Sequence, residues 1–150
     1  MNVDRQNYLQ LVDAIRSRNL SKENLDALNS IIAQNGSPQL VDDLVCKEKA
    51  VGRDEEDAVS ETMRHLESLA DTALSLACVL MVHLLPIAGC SFDHDVFDSV
   101  GLWICNNPSE ELAHQLRLIA SAETDSQAKK NYEGLAEFVE NAQKGKSPGH

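Results

Sequence analysis

Aromatic side chains are nearly missing from this chain. One Trp, two Tyr and three Phe are spread over 150 residues, too few for the aromatic and β-branched strands from which sandwiches and barrels are built. The short patterns of standard catalysis are also missing. There is no G-x-S-x-G, no phosphate-binding glycine loop, no H-E-x-x-H and no C-x-x-C. Positive charge is scarce as well. Thirteen Lys and Arg stand against 24 Asp and Glu, a formal net charge of −11, and such a chain repels nucleic acid and anionic lipid. The excess is concentrated: residues 51–100 carry −8, against −1 before them and −2 after them.

What is present points to helices. Hydrophobic residues make up 43% of the chain and charged residues 25%, ordinary proportions for one globular domain of this length. The N-terminal stretch MNVDRQNYLQLVDAIRSR is charged throughout and lacks the apolar centre of a secretory signal, so the expected location is the cytoplasm. Cys46, Cys78, Cys90 and Cys105 fit no tight disulfide framework.

Helical periodicity runs along most of the chain. Tyr8, Leu11, Val12 and Ile15 share a face, as do Leu25, Leu28, Ile31 and Ile32. Ser21 reads as an N-cap, with Leu20 and Leu25 in the relation of a hydrophobic staple. Asn35-Gly36 reads as a C-cap, after which Ser37 caps a third helix with Pro38 at its first position. From Val59 to Leu84, apolar residues follow at alternating steps of four and three, a heptad seam. One helix over 54–85 would be roughly 48 Å long, too long for a compact domain of this size, which puts a break near Asp71-Thr72. Pro86 and Gly89 should stop it. A short helix carries Val96, Phe97, Val100 and Ile104. Asn107, Pro108 and Glu110 read as cap, first position and capping box of the next, and a last helix starts near Ser126. The expected fold is all-α: a compact bundle of six or seven helices around a hydrophobic central helix at about 72–85. Residues 1–143 form one domain and 144–150 a flexible tail.

The apolar run from Thr72 to Gly89 is at the lower edge of bilayer-spanning length. It contains Ser75, His83 and Pro86 and is flanked by acids, without the basic residues that orient a span. A core helix covered on every face explains it better than a membrane does. Its cysteines and histidine match no zinc spacing, and buried Cys and lone His are common core residues. Asp93, His94 and Asp95, together with Asp98 and with Cys90 nearby, form a denser group at a loop–helix junction. Carboxylates flanking an imidazole are able to bind a divalent cation or small ligand, although acids at a helix start are equally ordinary caps. A Cys/His nucleophile pair would have to come from Cys90 or Cys105 with His94 or His114, residues that spacing alone does not unite. No enzyme, no cofactor and no metal are expected.

Surfaces remain. Asp42, Asp43 and Glu48, then Asp54, Glu55, Glu56, Asp57 and Glu61, put eight acids into twenty residues. Asp42, Asp43, Asp54, Glu55, Glu56, Asp57 and Glu61 are the expected partner-binding residues. They would form a docking face for a protein with a basic surface, since a field of one sign speeds association and adds specificity. The heptad seam offers a second route, pairing with a partner helix or a second copy. The expected function is that of a non-enzymatic acidic interaction module of inhibitor or adaptor type. The alternative is metal or small-ligand binding at Asp93, His94 and Asp95.

Overall fold

The structure, a computed structural model, describes residues 5–89 and 94–144, and the side chains of all of these except 5, 6, 89 and 94–97. Among the described residues there are eight helices and no strand. They are α1 (Arg5–Ser17), α2 (Lys22–Ala33), α3 (Ser37–Ala50), α4 (Glu55–Thr72), α5 (Leu74–Gly89), α6 (His94–Asn106), α7 (Glu110–Ala122) and α8 (Ser126–Lys144).

The count exceeds the expected six or seven because the heptad seam crosses two helices. The chain leaves helical geometry at Ala73 (φ −146°, ψ 78°), whose N–H still bonds the Leu69 carbonyl at 2.7 Å. The break falls one residue beyond the expected Asp71-Thr72. The four-three spacing continues through it, because each half separately turns its apolar face to the same core. Val59 and Leu66 on α4, and Ala77, Leu80 and Leu84 on α5, are fully buried. The seam is therefore used inside the molecule.

α5 is placed four residues later than the expected 72–85 end and runs through Pro86 to Gly89. Proline removes one N–H, the partner of the Val82 carbonyl four residues back. So near the end of a helix with both flanks packed, one missing bond does not end it. α5 packs against α2, α3, α4, α6 and α7. That coverage explains its uniform hydrophobicity: Leu76 through Val82 are all buried, as are Leu84, Leu85 and Ala88. Among the described residues no helix is long and apolar enough to cross a membrane.

The caps correct several readings by a residue or two. Ser21 is the N-cap of α2 as expected, accepting from the Asn24 N–H at 3.1 Å while Asn24 Oδ1 accepts from the Ser21 N–H at 3.0 Å. Gln34 is the C-cap of α2, and the left-handed residue that follows is Asn35 (φ 62°), not Gly36. Gly36 caps α3, which moves Ser37 and Pro38 one position into the helix. α7 is capped by Ser109, whose Oγ accepts from the Leu112 N–H at 3.1 Å, not by Asn107. Asn107 instead donates to the Trp103 carbonyl at 2.8 Å. α8 includes Lys144, and the rest of the expected tail lies outside the described residues.

Candidate functional site

The acidic segment divides into an outward and an inward part. Residues 49–57, which span the end of α3, the turn after it and the first residues of α4, are exposed without interruption. Val51, 63% exposed, lies in this corner, and Asp54, Glu55, Glu56 and Asp57 follow it. Asp54 is the N-cap of α4, accepting from the Asp57 N–H at 2.9 Å. Glu55 lies 3.8 Å from Lys49, a loose surface pair. Asp42 is exposed on α3. Asp43 is committed within the fold: it accepts from the Tyr8 hydroxyl and from Gln39 Nε2 at 2.9 Å. Burial and the Asp43 carboxylate push the Tyr8 hydroxyl far above its ordinary pKa.

Glu48 and Glu61 belong to an internal charged network. Glu48 is buried and its carboxylate accepts from Arg16 Nε at 2.6 Å, Arg53 Nε at 3.1 Å and His65 Nε2 at 3.1 Å. Glu61 faces Arg18 at 3.3 Å, Arg64 at 3.5 Å and Arg53 at 3.6 Å. Arg18, held in a left-handed conformation just past α1 (φ 60°), donates from Nε to His65 Nδ1 at 3.4 Å. An Nδ1 that accepts carries no proton, so His65 is neutral, with its Nε2–H on Glu48. Burial lowers the His65 pKa more than Glu48 raises it. Burial pushes the Glu48 carboxyl up, but the hydrogen bonds from Arg16 and His65, with the Arg16 charge, outweigh it and hold the group below its ordinary range. Both nitrogens of His65 are occupied, which leaves neither for a substrate. The network ties α1, α3 and α4 together.

The second buried-face histidine differs. His83, on α5, lines a cleft of about 390 Å³ between the α2–α3 turn, α5, α7 and α8. Ile32, Val79, Pro86, Leu118 and Ile119 supply apolar wall. Ser37, His83, Gln115 and Tyr132 supply polar groups. His83 hydrogen-bonds Gln115 from one side, and burial lowers its pKa. Spacing gave no sign of this cleft, because its lining comes from four separated stretches of chain. The one available signal was a polar ring in the most apolar helix.

The remaining candidates are quickly placed. Burial raises the thiol pKa of Cys78, against a hydrogen bond from Ser109, and that of Cys105; neither is a ready thiolate. His114 is exposed on α7. Asp93 and Cys90 lie outside the described residues, and His94 and Asp95 are described only as the start of α6. Among the described residues no cluster of His, Cys, Asp and Glu is arranged to hold a metal ion. Comparison with models of protein families, with curated proteins and with solved structures gives no match for this chain.

Proposed function

We propose that this chain is a non-enzymatic, acidic helical interaction module of inhibitor or adaptor type, and that it docks on a basic surface of a protein partner through the corner between α3 and α4. The supporting observation is the unbroken exposure of residues 49–57. Four consecutive acids project there beside Val51, an apolar side chain 63% exposed. Such a corner combines a charged field that steers approach with an apolar point to desolvate on contact. Of the seven acids expected to bind, Asp43 and Glu61 are only partly exposed and face residues of or just beyond α1, and the exposed Asp54, Glu55, Glu56 and Asp57 carry the proposal. Asp42 flanks them on α3. A net charge of −11 sets two copies against each other and favours a cationic partner over self-association.

The test uses Glu55→Gln, Glu56→Gln and Asp57→Asn together, keeping Asp54 as the cap of α4. Proteins captured from extracts of the source by the wild-type chain at low salt are compared with those held by the triple variant. A partner released by high salt and held about tenfold more weakly by the variant, at unchanged melting temperature, supports the proposal. Equal retention by both proteins removes this corner from consideration.

A further inference from the structure

The cleft at His83 is built differently from the rest of the core. α5 is otherwise apolar, and His83 is its one titratable ring; its placement there costs desolvation that a core leucine would not. His65 shows how this protein satisfies a structural histidine, with a partner on each ring nitrogen. His83 has Gln115 as its hydrogen-bond partner among the described residues. His83 itself lines the cleft, so its ring meets whatever enters there. Ser37, only 3% exposed, also lines it. One turn along α5, Pro86 withholds the N–H that would otherwise occupy the Val82 carbonyl, and its ring forms part of the wall.

We propose that this cleft binds a small, neutral, amphipathic molecule: an apolar ring system bearing one hydroxyl-type head that both donates and accepts a hydrogen bond. The volume, about 390 Å³, is that of a small-ligand site, and a mostly apolar wall with few convergent polar groups is how such sites are made. The neutral head follows from the surroundings. Burial keeps His83 uncharged, so it offers a hydrogen bond and no ion pair. Glu123 stands at the edge of the cleft as the C-cap of α7, where the helix end is itself negative. Its carboxylate accepts from the backbone N–H groups of Thr124 and Asp125 at 2.9 and 3.1 Å, which fixes that charge in place against an anionic head. The apolar body lies against Ile32, Val79, Leu118 and Ile119, and the head meets His83 and Ser37. This site is separate from the α3–α4 corner and does not depend on the interaction reading.

The experiment titrates the full chain with 2-naphthol and with 2-naphthoate, the same ring bearing a neutral or an anionic head, by calorimetry and by the His83 ring resonances. Leu118 is 49% exposed at the cleft, so Leu118→Trp fills the space without disturbing the core, and circular dichroism and melting temperature confirm the fold. His83→Phe removes the polar partner and keeps the ring volume. The proposal expects saturable binding of 2-naphthol that shifts the His83 resonances, at least about tenfold weaker binding of 2-naphthoate, and about a tenfold loss in each folded variant. No saturable binding to the wild type overturns it. So does equal binding by Leu118→Trp, or tighter binding of the carboxylate.

Discussion

His65 Nε2 and Glu48 Oε2 lie 3.1 Å apart in the interior, while Arg18 holds the other side of the same ring. An imidazole gripped in this way has its tautomer fixed by its neighbours. It is a strut between α1, α3 and α4.

Acid should loosen that strut in two stages. The folded pKa of His65 is below its ordinary 6.5, so near that pH the unfolded chain takes a proton that the folded protein refuses. The stability from His65 is complete above pH 6.5 and declines as pH falls below it. Glu48, held below its ordinary 4.5, adds a second loss as pH falls under that value. Urea midpoints measured from about pH 7.5 down to about pH 2.5 read both stages. His83, also lowered by burial, contributes to the upper stage, so His65→Gln should shrink that stage without abolishing it; an unchanged slope there would show that His65 does not titrate as described.

Glu48→Ala leaves Arg16, Arg53 and His65 without their common acceptor. Glu48 is buried, while Arg16 and Arg53 are 22% and 40% exposed in their side chains. The arginines recover part of their solvation, so the expected cost is about 2–4 kcal/mol, under the full cost of breaking a wholly buried pair. Denaturant unfolding of the single variants and of Glu48→Ala with Arg16→Ala gives their coupling. A double variant equal to the sum of the singles contradicts a shared interaction.

Gly36 has φ −86°, an unstrained value, yet a Cβ there would lie 2.7 Å from Ile31 Cγ2 and 3.0 Å from the Ile31 carbonyl oxygen. Gly36→Ala should therefore cost about 1–3 kcal/mol through crowding. Asn35, at φ 62°, needs the left-handed conformation, and Asn35→Gly should leave stability within about 0.5 kcal/mol or raise it. Thermal unfolding of the two variants separates the roles. The reverse ranking would contradict this division of roles between Asn35 and Gly36.

Ser109→Ala should lower stability by about 1 kcal/mol, because the first turn of α7 loses its side-chain acceptor. Leu80→Ala, in the fully buried middle of α5, should cost about 2–5 kcal/mol through lost contacts and a residual cavity. A cost at Ser109 as large as at Leu80 would mean that the cap holds more than one helix end.

Periodicity in the sequence carries most of this architecture. Leu11, Val12 and Ile15 turn inward as their spacing requires, and Ser21 and Asp54 cap where small polar residues precede apolar stripes. The break at Ala73 was partly hidden, since a repeat of four and three is blind to a kink that preserves the facing side. The caps at Gly36 and Ser109 were displaced because Ser-Pro and Asn-Pro each allow two registers that differ by a residue or two. Charge misled in a different way. Glu48 and Glu61 counted as surface acids because sequence neighbours supply too few bases, but their partners Arg16 and Arg18 come from the end of α1 and the residue just past it, more than thirty residues away. The His83 cleft was unreadable for a similar reason: its walls meet only after the helices have packed.

The connection between α7 and α8 spans only residues 123–125, and these two helices lie side by side. The bonds anchoring α1 reach 32 residues to Glu48, 35 to Asp43 and 47 to His65. Closing a loop is easier when it is short. Order of assembly is thus written into the topology: the C-terminal hairpin needs only a local search, whereas the first helix must wait for its seat on α3 and α4 to exist. Chains emerging from synthesis with their N-terminus first would hold α1 unseated until about half of the 150 residues had appeared.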